Sequence, residues 1–476
     1  MAEAIGSALL VEPVPPQERL DGPLFDALYA ATDAKETYQL LTIPTGRRAE
    51  LLADFAESGA EPDLSATHLD LSELEVQHTI LWTFKAWLLS GSNADVPPDV
   101  IQMYRWKVNE QIANIRIARA SLLGDTERFR RYNVFVYGEP DPQVAAAVAD
   151  WFRSDALTHA GSEHQPVRDA AAELLHLVAD RGGQRQDLVP DPVAFQRVRA
   201  EHYRDGGYYA LLLAGVELPR TGPVTTEIGN AALLQVRANL GAGDYAIVDA
   251  AAGAWSVNNR QREVSRPATM NMILERFVGL VGHEWGSHVL EWLNGTLSGV
   301  GLAALGFDRY ENGNETRALL REEVVYKSFD EFAKTRRWQD VMRRQFAIAL
   351  GHGTPGYEPM TFGQVHAVLS TVDRLWERAR TPGNPERADA RARQRTDDLL
   401  MRVLKGTNGK GGAYLKDKVY LEPHADLWQA AGDNPAIIGH GDRLKCDMLN
   451  ERHTNFAAER GIIPRVNQPA EGFSHD

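Results

Sequence analysis

The chain has 476 residues, 43% hydrophobic and 24% charged, an ordinary globular composition with enough length for about two or three domain-sized units. Its formal charge of −14 argues against a nucleic-acid binder, whose footprint would be basic. Cys446 is the single cysteine, so no internal disulfide is possible and a reducing, cytoplasmic setting is expected.

In chain order, residues 1–17 read as an irregular arm, kept from regular structure by Pro13, Pro15 and Pro16 and lacking the basic-then-apolar pattern of a signal peptide. Helices are expected from Pro23 to about Leu89, with a turn at Pro44-Thr45-Gly46 and a polar break over Ser58 to Ser65. Residues 1–95 carry no chemical motif and are expected to form a helical accessory region. A long helix is predicted from about Asp99 to Leu123, where Ile101, Tyr104, Val108, Ile112, Ile115 and Ala118 form an apolar stripe. Further helices are predicted at 143–155, 166–181 and 191–207. Between Pro219 and Arg266 the pattern changes to two short strand-like runs, Tyr245–Val248 and Ala254–Val257, followed by Arg260, Arg262 and Arg266. They predict a small sheet that feeds the next helix, with the arginines on a solvated hairpin or on an edge able to align an extended peptide.

That next helix carries Val281-Gly282-His283-Glu284-Trp285-Gly286-Ser287-His288. Met270, Ile273, Leu274, Phe277, Val278, Val281, Trp285 and Val289 give it one buried face. The segment 270–293 is interrupted by Glu275, Arg276, Glu284 and Glu291, so a membrane span is not expected. Two imidazoles and a carboxylate at this density are the groups that bind a borderline metal and activate its water. The usual zinc-protease string, H-E-x-x-H, sets its histidines four apart on one helix face. His283 and His288 are five apart, which on a straight helix turns them about 140° from each other. Sharing an ion therefore requires an over-wound, bulged or broken turn, which Gly286 permits. Otherwise they are two unrelated histidines, one buried and one exposed.

Beyond the motif, Gly295 to Gly306 reads as a glycine-rich loop without a nucleotide fingerprint. A helix is predicted from Glu315 to Ala333, with Asn314 as its cap. Others follow at 336–350, 361–380 and 385–405, and Gly409 to Leu421 suits a solvent-facing hairpin. From Gly432 the chain is expected to be irregular, with a tail over 431–476. The fold class is α+β, predominantly α-helical. On charge and spacing alone, Glu322 and Glu323 read as a solvated acidic pair, while Glu315, His352 and His366 are candidates for a third ligand.

The string His283-Glu284-Trp285-Gly286-Ser287-His288 resembles the H-E-x-G-T-H motif of the metallopeptidase family that contains the microtubule-associated tyrosine carboxypeptidases and bacterial relatives of unassigned function. Phe129 to Pro140 and Gly411 to Leu421 are also similar, so the resemblance covers roughly residues 100–425, and a catalytic domain over 96–430 is expected. The family takes its third ligand from the second position of [QE]-E-G-L-A. Glu322-Glu323-Val324-Val325-Tyr326 is its closest match here, which implies Glu323 as the ligand with Glu315 as fallback. The chain departs from the family at Ser287 and over 324–326.

The resemblance implies a zincin-like core and a carboxypeptidase-like zinc hydrolase acting on a peptide or protein C-terminus. His283, His288 and Glu323 would hold one Zn²⁺, Glu284 would act as general base, and Glu322 would orient a ligand histidine. Lys416, Arg402 and Tyr420 are the candidates to hold a substrate carboxylate or stabilise the oxyanion. The alternatives are a non-catalytic helical interaction protein with a structural metal, and a metal hydrolase acting on a non-peptide small molecule.

Overall fold

The computed structural model describes residues 9–10, 12, 18–32, 37–179, 187–250, 254–354 and 358–464. Most of the arm expected over 1–17, and the last residues of the chain, lie outside that set. Helix makes up 65% of the structure and strand 4%, as the helical periodicities imply. Many helices start where the sequence supplies a cap. Asp70, Asp141 and Asp191 each accept a backbone N–H of the first turn, and Thr361 and Gln364 form a reciprocal capping box.

The helices Leu24–Ala31, Thr45–Ser58 and Leu71–Leu88 form the N-terminal region, and Pro98–Leu122 follows as the long helix expected there. Their buried residues, Leu24, Leu51 and Leu81 among them, join the same continuous apolar core as Trp285, Phe346 and Leu400. The segment after Gly432 is a correction. It is not an irregular tail, because Ala436–His440 and Glu451–Glu459 are helical and Leu444, Cys446, Phe456 and Ile463 are buried in that core.

Five strands occur among the described residues. β1 (Val224–Thr225) pairs antiparallel with β5 (Asn271–Met272). β2 (Ala246–Asp249), β3 (Ser256–Asn258) and β4 (Glu263–Arg266) make a second sheet with β4 in the middle, parallel to β2 and antiparallel to β3. The arginine-rich stretch is thus partly a central strand. Register aligns Ile247, Val264 and Val257 across the three strands, an apolar row whose centre, Val264, is fully buried. The sheet borders the motif helix. Tyr245 packs 6.2 Å from Trp285, and Asn259 Nδ2 donates to the His288 carbonyl at 3.2 Å.

Three local expectations fail for identifiable reasons. Gly295 to Gly306 is largely helical, because Gly295 lets the backbone of Ala303 and Ala304 pack against it where a Cβ would clash. The helix expected from Glu315 begins earlier and ends sooner, at Glu311–Glu323, so Glu315 sits one turn inside it rather than at its head. Gly409 to Leu421 is not a hairpin; Leu415–Tyr420 winds into a 3₁₀ helix packed on Glu311–Glu323 and Arg336–His352.

Candidate metal centre

The motif helix runs as an α-helix over Leu274–His283, changes to a π turn over Glu284–Val289, and resumes over Leu290–Leu297. The bulged turn that the five-residue spacing requires is present. A π turn brings residues five apart onto one face, and the rings of His283 and His288 lie 5.0 Å apart, nearly perpendicular. Glycine makes the distortion possible in a specific way. A Cβ on Gly286 would stand 1.5 Å from the Tyr208 hydroxyl, and one on Gly282 would stand 2.4 Å from that of Tyr209. The carbonyls loosened by the wide turn are satisfied from the side. Gly282 O accepts from Tyr208 Oη and Ser287 Oγ, each at 3.1 Å, and Gly286 O accepts from Arg321.

Facing this turn is the helix Glu311–Glu323. Its Glu315 Oε2 lies 3.7 Å from His283 Nε2 and 3.8 Å from His288 Nε2. Those distances exceed a hydrogen bond, and Oε2 is buried with no hydrogen-bond partner. Ligand atoms of a tetrahedral zinc stand ~3.3 Å from one another. His283, His288 and Glu315 each offer one such atom, all within 4.8 Å of each other. The donor set, two neutral imidazoles and a carboxylate, is that of a borderline divalent ion. The residues therefore fit a metal on geometry as well as chemistry.

The far nitrogen of each ring meets a carboxylate. His283 Nδ1 lies 2.9 Å from Glu322 Oε1, and His288 Nδ1 lies 3.3 Å from Glu291 Oε1. The His288 contact is a hydrogen bond that places the proton on Nδ1 and leaves Nε2 as the ligand lone pair, whereas the His283 contact is close in distance but not aligned as a hydrogen bond. Both carboxylates are held in turn. Arg276 and Arg337 bind Glu322, while Asn314 Nδ2 at 3.0 Å and Arg317 Nη2 at 2.5 Å bind Glu291. Asp442, from the segment expected to be a tail, bridges Arg317 and Arg321.

Electrostatics follow this arrangement. Burial pushes the Glu315 carboxyl up, but His288, His283, Lys416 and a Tyr420 hydrogen bond outweigh it and bring the pKa down to about 2. Burial also resists charging of His288, yet Glu315 and Glu291 raise it above the usual range. Glu284 goes the other way: burial dominates and raises its carboxyl, against the pull of the two histidines.

The third-ligand assignment to Glu323 is corrected. Its carboxylate is fully buried on another face of the helix, 3.0 Å from His424 Nε2, and it accepts from Trp428 Nε1 at 2.7 Å. His352 pairs with Glu139 and His366 with Asp397, so neither approaches the histidine pair. Of the substrate-binding candidates, Tyr420 and Lys416 lie by Glu315, with Lys416 Nζ 2.7 Å from Glu311. Arg402 is corrected as well: its guanidinium grips Asp417 with two hydrogen bonds, at 2.5 and 2.8 Å, and its charge is spent there. Sequence reasoning missed Arg344. It is half-buried, 5.8 Å from the Tyr420 ring, and its nearest carboxylate is Asp417 at 3.8 Å. The seven-residue spacing of Arg337 and Arg344, two turns along one helix face, was the available signal.

Compared with protein-family models, curated proteins and solved structures, the chain matches none of them. No described helix is long and apolar enough to cross a membrane.

Proposed function

We propose that this chain is a zinc-dependent metallopeptidase of carboxypeptidase-like type, with a zincin-like core, acting on a peptide or protein C-terminus. The observation that carries the reading is the partnerless Glu315 Oε2 facing two imidazole Nε2 atoms at 3.7 and 3.8 Å, with each ring braced by a carboxylate behind it. His283, His288 and Glu315 would hold the ion. Bound zinc would polarise the scissile carbonyl and acidify water in the site. Three protein ligands leave a position open, which favours a catalytic over a structural metal.

Glu284 follows His283 directly and feels His283, His288 and Glu315. Its carboxylate takes the proton of the attacking water and returns it to the leaving amine; a pKa raised by burial makes it a better acceptor. The Tyr420 hydroxyl, held protonated by burial and by Glu315, can donate to the developing oxyanion. Arg344, beside the Tyr420 ring, would supply positive charge for a substrate carboxylate, with Lys416, paired to Glu311, adding to the field at Glu315. A cytoplasmic site of action accords with a single, buried cysteine.

The test pairs metal analysis with hydrolysis of C-terminally varied peptides, and of simple amides and esters. The expected result is about one zinc per chain, with Glu284→Gln retaining the metal and losing hydrolysis. A protein that takes up no zinc on titration, or a Glu284→Gln variant as active as the parent, would sink the reading. Cleavage confined to the small amides and esters would move the substrate to a non-peptide molecule.

A further inference from the structure

A second concentration of charge lies where the helices Leu71–Leu88, Pro98–Leu122 and Thr126–Tyr137 meet. It surrounds a cavity of about 330 Å³ whose lining includes Arg116, Arg119, Arg128 and Arg131. Four guanidinium groups around one cavity run against a chain of net charge −14. Like charges gathered this closely repel one another unless something pairs them.

The pairing within the chain is incomplete. Arg119 Nε stands 2.9 Å from Glu75, and Arg128 Nη1 stands 3.5 Å from Asp125. Arg116 meets only neutral groups: its Nε donates to His78 Nε2 at 3.3 Å, and its guanidinium lies 6.0 Å from the Trp82 ring and 5.6 Å from that of Tyr132. Arg131 has no ion pair or hydrogen bond among the described residues. His78 adds no charge. Its Nε2 accepts from both Arg116 and Trp82 Nε1, so the proton sits on Nδ1, and burial together with Arg116 keeps the ring neutral. The helix N-terminus at Thr126 is taken by Asp125, which accepts from Arg128 N at 3.0 Å. Four arginines set against two carboxylates leave two positive charges facing one cavity.

We infer that this cavity binds a small phosphate ester. The dianionic phosphate matches the excess of two charges, and Arg116 and Arg131 present planar forks suited to its oxygens. The volume exceeds what a phosphate needs and is of the size that holds a metabolite, so the organic part of the ester lies against Tyr132.

The test is calorimetric titration of the full chain at 0.15 M NaCl with phenyl phosphate, inorganic phosphate and benzoate. Phenyl phosphate is expected to bind, and benzoate, a monoanion of similar shape, to bind at least about tenfold more weakly. Arg131→Glu, an exposed change that leaves the fold intact, should weaken phenyl phosphate at least about tenfold, and Arg116→Gln should do the same. Three results would overturn the inference: no binding of either phosphate, equal binding by the parent and Arg131→Glu, or benzoate binding as tightly as phenyl phosphate. Inorganic phosphate binding as tightly as phenyl phosphate would overturn the place given to the organic part.

Discussion

Two buried pairings of carboxylate with imidazole stand on one helix and do different things. At Glu323 the carboxylate is satisfied: His424 Nε2 and Trp428 Nε1 sit 3.0 and 2.7 Å from its oxygens, and the unfilled valence of the pair lies on the far side of the ring, at His424 Nδ1. At Glu315 it is open: two imidazole nitrogens stop 3.7 and 3.8 Å short, and the oxygen between them has no donor. The residue types are the same, but Glu323 and His424 are fully buried while Glu315 and His288 keep 15% and 14% of their side chains exposed. What separates a structural pair from a candidate ligand set is about an ångström of approach, with a second imidazole on the same side. Carboxylates and histidines in the core are therefore weak evidence of a site until their unfilled valences are counted.

The sharpest way to break the comparison is to remove each carboxylate in turn. Glu315→Ala should lower zinc affinity by more than about 100-fold and also cost the metal-free protein stability at neutral pH, because His288, His283 and Lys416 favour that carboxylate by more than burial opposes it. Glu323→Ala should leave zinc stoichiometry unchanged and destabilise the fold by about 3 kcal/mol, since two buried donors lose their acceptor. Glu323→Gln, which keeps an acceptor, should lose less. Mass-spectrometric metal content and urea unfolding read both; zinc lost with Glu323 and kept without Glu315 would reverse the assignment.

A buried imidazole outside both pairings, His202, sharpens the contrast. His202 has no carboxylate, only the Val198 carbonyl at 2.9 Å from Nδ1, and burial followed by Arg321 lowers its pKa from 6.5 to about 4. The folded state resists the proton that the unfolded chain accepts. Its contribution is thus complete above pH 6.5 and is lost as pH falls towards 4, by about 3 kcal/mol in all. Unfolding free energies of the parent and His202→Phe across that range should converge as the pH falls; parallel curves would refute the assignment.

The smallest effect belongs to the brace behind His288. Glu291→Gln should weaken zinc about 10–100-fold without abolishing binding, because the ring loses its charged partner and keeps its position on the turn. An unchanged affinity would mean that Glu291 serves only Arg317.

Much of this was legible in the chain itself. Apolar period located the motif helix, and the five-residue gap between His283 and His288 required a distorted turn at Gly286. The third ligand was harder. On a regular helix, Glu315 and Glu322 point within about 20° of each other, whereas Glu323 lies about 80° from Glu315. Helical geometry therefore groups Glu315 with Glu322 and sets Glu323 apart. Which group faces the histidines is decided by how two helices pack, and local pattern does not record that. Short-range matching to an acidic string favoured Glu323. Asp442 was invisible for a related reason: it reaches Arg317 and Arg321 across more than a hundred residues of chain, and its own neighbourhood reads as loop.

The π turn also makes chain length part of the site. It holds one residue more than an α-helical turn, so everything after it is rotated about 100° and advanced about 1.5 Å from where an uninterrupted helix would carry it. Deleting Gly286 would leave His-Glu-Trp-Ser-His, a string with the familiar four-residue spacing. That shorter protein would look more like a zinc protease on paper. Yet the deletion would swing Glu291 off Asn314 and Arg317, and Asn294 off the Asp442 carbonyl it now holds at 2.9 Å. Judged by spelling, the better match would be the worse site.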